Sequence, residues 1–210
     1  MEIFILILEI IGTVAFAISG AITAIKKRMD IFGICVLGLT TATGGGIIRD
    51  LILGITPPST FRDPVYIIVA ISTSVVTFLP FVRRYFEKKH TLLELLLLVS
   101  DSAGLGIFTV VGAKIAVDAG FGDNGFLVVF VAVLTGVGGG VMRDVFAGDR
   151  PYIFVKHVYA SASIAGALVC FLLFYLVPAL PEYVSMLVGF VVVMTIRFLA
   201  ARFRLNLPRP

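Results

Sequence analysis

The sequence predicts an all-α, polytopic membrane protein of seven transmembrane helices, arranged as two inverted three-helix repeats plus a seventh helix. Three observations carry that reading. The 210-residue chain is 59% hydrophobic and only 14% charged, whereas a soluble domain carries about a quarter charged residues. Several apolar runs approach about 20 residues, the length that spans roughly 30 Å of hydrocarbon. Finally, Gly44-Gly45-Gly46-Ile47-Ile48-Arg49-Asp50 returns as Gly138-Gly139-Gly140-Val141-Met142-Arg143-Asp144, 94 positions later.

Span one runs from about Phe4 to Ile25 and stops at the basic cluster Lys26-Lys27-Arg28. Its opening has no basic n-region and leads into a second span, so it reads as a helix and not as a signal peptide. Span two, about Ile31 to Ile55, holds the first glycine triplet and stops at Pro57-Pro58, because proline cannot continue a helix. Span three, about Pro64 to Val82, is followed by Arg83, Arg84, Lys88, Lys89 and His90. Span four, about Thr91 to Ala116, contains Glu94, Asp101 and Lys114, and a connection with Asp118 and Asp123 follows. Span five, about Gly125 to Ala147, carries the second triplet and is closed by Arg150-Pro151. Lys156 and His157 lead into span six, about Val158 to Val177. A turn from Pro178 to Pro181 precedes span seven, about Glu182 to Ala200, which ends in Arg202 and Arg204.

Lys and Arg concentrate on the cytoplasmic side of membrane proteins. The connections after spans one, three and five and the C-terminal tail are basic, and those after spans four and six are acidic or neutral. This places the N-terminus outside and the C-terminus in the cytoplasm. The formal net charge of +4 is spread over short inter-span clusters, so it does not point to nucleic acid. Cys35 and Cys170 both fall within apolar spans, where cysteine serves as a small hydrophobe.

The repeat extends past the motif. Phe16, Gly20, Ala21 and Ala24 match Phe108, Gly112, Ala113 and Ala116, and Gly54 matches Gly148. Pro58, Phe61, Val65 and Tyr66 match Pro151, Phe154, Val158 and Tyr159. The chain is thus one transmembrane domain over residues 1–210, with repeat one at about 4–82, repeat two at about 91–177 and helix seven at about 182–200. Three spans per copy is an odd number, so the second copy enters the bilayer inverted. In such architectures broken helices meet near the midplane and form the ion or substrate site.

Three consecutive glycines tolerate almost any backbone conformation, so a break or kink is expected at each triplet. Carbonyls freed near Thr43, Gly44, Val137 and Gly138 would then replace the hydration shell of a monovalent cation. Close helix packing through small residues is the plainer alternative. Arg49, Asp50, Arg143 and Asp144 are costly at membrane depth unless paired or facing a wet cavity. Adjacent helical residues do not face each other, so each arginine is expected to pair across the repeat, with the aspartate of the opposite copy, or to line the pore. Asp101, about ten residues into span four, is a further pore or gating candidate. Lys114, near a span end, divides between that role and a snorkelling anchor.

A positive charge in a cation path raises the barrier by about 4 kcal/mol at 4 Å with an effective dielectric near 20. The arginines are therefore expected to reach one cavity from opposite sides of the midplane, at least one acting as a movable plug that Asp101 helps neutralise. Thr40, Thr41, Thr43 and Thr135 are expected to bond back to their own helices, and His90 and His157 to be solvated. No metal cluster, nucleophile–base pair or nucleotide motif is present, which argues against an enzyme.

The paired GGGxxRD motifs, the AFAISGA segment at Ala15 to Ala21, the DxxG at Asp101 to Gly104 and the seven-span layout resemble the prokaryotic TRIC family, homologues of the trimeric intracellular cation channels. Members of that family also go under the name of glycine transporters. The resemblance covers nearly the whole chain. It implies a homotrimer with one hydrophilic pore per protomer, the second and fifth helices kinked at Gly44–Gly46 and Gly138–Gly140, and Arg49 and Arg143 among the pore-side charges. It also implies passage of potassium and some sodium, with no cofactor beyond the permeant ion and bound membrane lipid. Animal relatives carry a lysine, associated with phosphoinositide lipid, where this chain has Gly44. The resulting expectation is a monovalent cation channel of a prokaryotic plasma membrane. The alternative is a secondary transporter of glycine or another small solute, since inverted repeats serve both.

Overall fold

The computed structural model describes residues 1–80, 90–155 and 158–203. Among these there is no strand, and the helices are α1 (Glu2–Lys26), α2 (Ile31–Ile52), α3 (Ser59–Arg62), α4 (Val65–Phe78), α5 (His90–Ala116), α6 (Gly125–Phe146), α7 (Tyr152–Val155), α8 (Ala160–Leu176) and α9 (Glu182–Phe203). A π-helical turn, Val117–Phe121, extends α5. Five helices, α1, α2, α5, α6 and α9, are long and apolar enough to cross a membrane, while α4 and α8 are apolar but shorter. Span three was expected to reach Val82, yet α4 ends at Phe78. The basic connection at Arg83, Arg84, Lys88 and Lys89 lies outside the described residues, as do Lys156, His157 and Arg204. The four-residue helices α3 and α7 were not expected, being too short to show a hydrophobic period.

Packing pairs the two copies. α1, α2 and α4 pack on one another, as do α5, α6 and α8, and the two groups join through α1 on α5 and α2 on α6. α5 is the most enclosed, with 72% of its apolar window buried, against 33% for α9, which lies on α5 and α8. Small residues such as Ala17, Ala21 and Ala24 fill the inside of α1, while Ile3, Phe32, Ile68, Phe126 and Val191 are exposed. Such an apolar exterior suits lipid.

The ends of α2 and α6 are made the same way. Asp30 accepts a hydrogen bond from the Gly33 amide at 2.8 Å and Asn124 accepts one from the Leu127 amide at 3.1 Å, so each helix has a side-chain N-cap. Each stops at a left-handed glycine, Gly54 (φ 72°) or Gly148 (φ 71°). The following amides, Ile55 and Asp149, donate back to the carbonyls of Asp50 and Asp144, both at 2.8 Å, which is the helix-ending pattern glycine favours.

The triplets do not break their helices. Both α2 and α6 are helical straight through Gly44–Gly46 and Gly138–Gly140, which corrects the expectation of a break. Without competing water, the backbone hydrogen bonds of a membrane helix hold even where side chains are missing. The glycines are instead needed where the two helices cross. A Cβ on Gly45 would overlap the Thr135 carbonyl oxygen, one on Gly139 would overlap that of Thr41, and one on Gly138 would lie 3.0 Å from Gly45 Cα.

Candidate functional site

The crossing fixes where the charges sit. Thr41 lies against Gly139 and Gly45 against Thr135, so the helices run antiparallel there. Arg49 and Arg143 each follow the crossing glycine by four residues and lie on opposite sides of it, about 6 Å along their helices.

In the first copy, Arg49 Nε donates to Asp50 Oδ1 at 2.8 Å and Nη2 to the Ser59 hydroxyl at 3.2 Å. Asp50 Oδ2 accepts from both the amide and the hydroxyl of Ser59, each at 2.7 Å, tying α3 to α2. Glu9 of α1 lies 3.6 Å from Arg49 Nη1 and accepts from the Tyr66 hydroxyl at 2.6 Å.

In the second copy, Arg143 Nε donates to Asp144 Oδ1 at 2.8 Å, and Asp144 Oδ2 accepts from the Tyr152 amide at 2.7 Å, tying α7 to α6. Arg143 Nη1 donates to Asp101 at 2.5 Å and to the Ser19 hydroxyl at 2.6 Å. The Tyr159 hydroxyl donates to Asp101 at 3.3 Å. Glu9 therefore corresponds to Asp101, Tyr66 to Tyr159 and Ser59 to Tyr152.

Each arginine pairs with its own neighbouring aspartate, which corrects the expectation of pairing with the opposite copy's aspartate. The long side chain and planar fork of arginine reach around the roughly 100° between successive helical residues, and the returning short helix holds the aspartate in place.

The second cluster also draws on α9. Arg197 of α9 places Nη2 3.4 Å from Asp101, donates from Nε to Ser102 at 3.2 Å, and stacks over the Tyr159 ring at 4.8 Å. The second cluster thus sets two guanidinium groups against two carboxylates, all buried. The first sets one guanidinium against two carboxylates and opens into a small pocket whose walls include Glu9, Thr43, Gly46, Arg49 and Tyr66. Arg143 is not among those walls, so the two arginines do not share this cavity, contrary to expectation.

The carbonyls of Thr43, Gly44, Val137 and Gly138 stay within unbroken helical runs, so no helix break frees them for a cation. Lys114 is brought to neither cluster. It pairs with Asp118 and, at 3.2 Å, with Glu182, fastening the end of α5 to α9. The threonines bond back as expected: Thr41 to the Leu37 carbonyl, Thr43 to that of Leu39 and Thr135 to that of Val131.

The comparisons agree with this duplicated geometry. A family model described as glycine transporter matches residues 6–81 and 98–175, one stretch over each copy of the motif. A TRIC cation channel solved to establish the structural basis for conductance is 41% identical, with a TM-score of 0.84, covering 97% of this chain and 96% of that one. The chain belongs to the TRIC family. A prokaryotic TRIC channel crystallised in 0.5 M KCl is 32% identical, with a TM-score of 0.86, over 99% of this chain and 100% of that one. The UPF0126 inner membrane protein YadS of Escherichia coli (strain K12) is 41% identical over 201 residues, 96% of this chain and 93% of its own. The structural neighbours of this TRIC-family chain are ion channels and not enzymes, and the chain is a multi-pass membrane protein.

Reading the sequence overlooked Glu9, Tyr66, Tyr159 and Arg197 as site residues of this TRIC-family chain. Glu9 precedes Asp101 by the 92 positions that separate Phe16 from Phe108, so the repeat held the signal although the residue type changes. Arg197 has no counterpart in the first copy, and its only signal is a lone charge inside an apolar span.

Proposed function

We infer that the protein is a monovalent cation channel, passing potassium and sodium through one pore in each protomer of a homotrimer. Its seven spans form two inverted three-helix repeats and a supporting α9, with α2 and α6 lining the path. It resides in the plasma membrane of a prokaryote with its N-terminus outside and its C-terminus in the cytoplasm. The observation that carries this reading is the pair of charged clusters flanking the α2–α6 crossing, one of which opens into a pocket with an excess carboxylate. Buried charge at membrane depth marks an ion path, and acidic side chains favour cations over anions. The matched N-caps, glycine stops and arginine–aspartate pairs of α2 and α6 support the repeat, and the antiparallel crossing supports its inversion. The likeness to solved TRIC cation channels supports the activity.

The description of the family model favours a second reading, a carrier for glycine. Proteoliposomes separate the two. Channel activity predicts rapid potassium efflux down its gradient and no exchange of labelled glycine. Glycine counterflow without potassium efflux would establish the carrier instead.

A further inference from the structure

Among the described residues, eight threonines are buried, and six of them, Thr23, Thr41, Thr43, Thr77, Thr109 and Thr135, donate to the carbonyl four residues earlier. The Thr13 and Thr60 hydroxyls make no hydrogen bond within the described protein, although these residues are only 2% and 6% exposed. Both line the pocket beside Glu9. Neither hydroxyl is sealed off from its surroundings, so both stay open to the pocket, and two uncommitted oxygens converging there suit a ligand that binds through oxygen.

The second copy shows what the same fold does without such a ligand. Thr13, Thr43 and Thr60 correspond there to Leu105, Val137 and Ile153, which pack into an apolar cluster around Tyr159. Asp101, the counterpart of Glu9, is taken up by Arg143 and Arg197. Among the described residues, Glu9 keeps one hydrogen bond, from Tyr66, and one guanidinium neighbour, which stands off at 3.6 Å. A carboxylate has about four acceptor positions, so Glu9 retains capacity that Asp101 has spent.

We propose that the pocket of the first copy is a monovalent-cation binding site, with the Glu9 carboxylate as its charged ligand and the Thr13 and Thr60 hydroxyls as neutral oxygen ligands. The assignment of this site to the permeation path rests on the channel reading. The binding itself does not, and it is measured without current.

The test is the melting temperature of the purified full-length protein in detergent, as KCl replaces choline chloride at constant ionic strength. The wild type melts higher in KCl. Glu9→Gln weakens the apparent potassium affinity about tenfold or more, a change of roughly 1.4 kcal/mol per factor of ten, and Glu9→Asp restores part of it. Thr13→Val and Thr60→Val, which preserve shape, reduce the potassium effect in well-folded protein. A wild type indifferent to potassium, or a potassium effect unchanged in Glu9→Gln and Thr13→Val, overturns the site. A Thr13→Val protein that is simply more stable in both salts shows that the hydroxyl met nothing but water, and overturns it as well. A potassium effect that follows Glu9 in a protein that carries no current retains the site and removes the channel reading.

Discussion

Gly45 and Gly139 meet where α2 crosses α6, each facing the backbone carbonyl of the threonine that precedes the other by four residues. The contact is reciprocal. It brings two backbones closer than any side chain permits, and it sets Arg49 and Arg143 on opposite sides.

Gly45→Ala and Gly139→Ala should therefore each destabilise the protein by about 1–3 kcal/mol, the usual cost of overpacking. Gly46→Ala should be tolerated, because its Cβ would lie no nearer than 3.8 Å to another group. Thermal melting of the three variants in detergent checks the contrast, and equal stabilities would show that the crossing does not depend on the middle glycine.

The glycines that stop α2 and α6 fail for a different reason. A Cβ on Gly54 or Gly148 meets nothing within 4 Å, but the backbone there is left-handed. Gly54→Ala and Gly148→Ala should each cost about 1–2 kcal/mol, the penalty for an ordinary residue in that region. Gly54→Asn should cost less, since asparagine tolerates it. Melting curves that rank Ala above Asn would refute the account.

These two sets of glycines mark how far the sequence can be read. The apolar spans, the duplicated motif and the arginines inside apolar runs are legible, because lipid imposes hydrophobicity over about 20 residues and makes any charge conspicuous. That the triplets pack and do not break was not legible, since three glycines satisfy either requirement and only the opposing backbone decides. The arginine–aspartate neighbours were misread because the returning helices α3 and α7, which hold Asp50 and Asp144, are too short to leave a period. Arg197 lay outside the repeat, so nothing in the first copy pointed to it.

Arg143 is 1% exposed and held by Asp101, Asp144 and Ser19. It is therefore fixed in place, unlike the movable plug expected from sequence. Asp101→Asn should destabilise by about 3 kcal/mol or more, because it leaves buried guanidinium groups uncompensated. Adding Arg197→Gln should recover part of the loss. Chemical or thermal denaturation of the single and double variants checks this, and additive losses would show that Arg197 and Asp101 do not interact.

Arg49 stands on the wall of an open pocket, so Arg49→Ala should assemble and conduct more, its removal relieving a positive charge beside the path. Arg143→Ala should instead fold poorly. Gel filtration paired with bilayer recording distinguishes them, and unchanged currents from a well-assembled Arg49→Ala protein would place Arg49 off the path.

The proposed orientation predicts that Asp123→Cys reacts with a membrane-impermeant thiol reagent added outside intact cells and that Lys26→Cys does not. Both positions are exposed. The reverse labelling would invert every assigned face.

The central claim is that this chain conducts monovalent cations, and the most direct measurement is single-channel recording of the purified protein in a planar bilayer under a KCl gradient. Discrete current steps that reverse close to the potassium equilibrium potential are predicted. Steps that reverse at the chloride potential, or correctly assembled protein that carries no current, would contradict it.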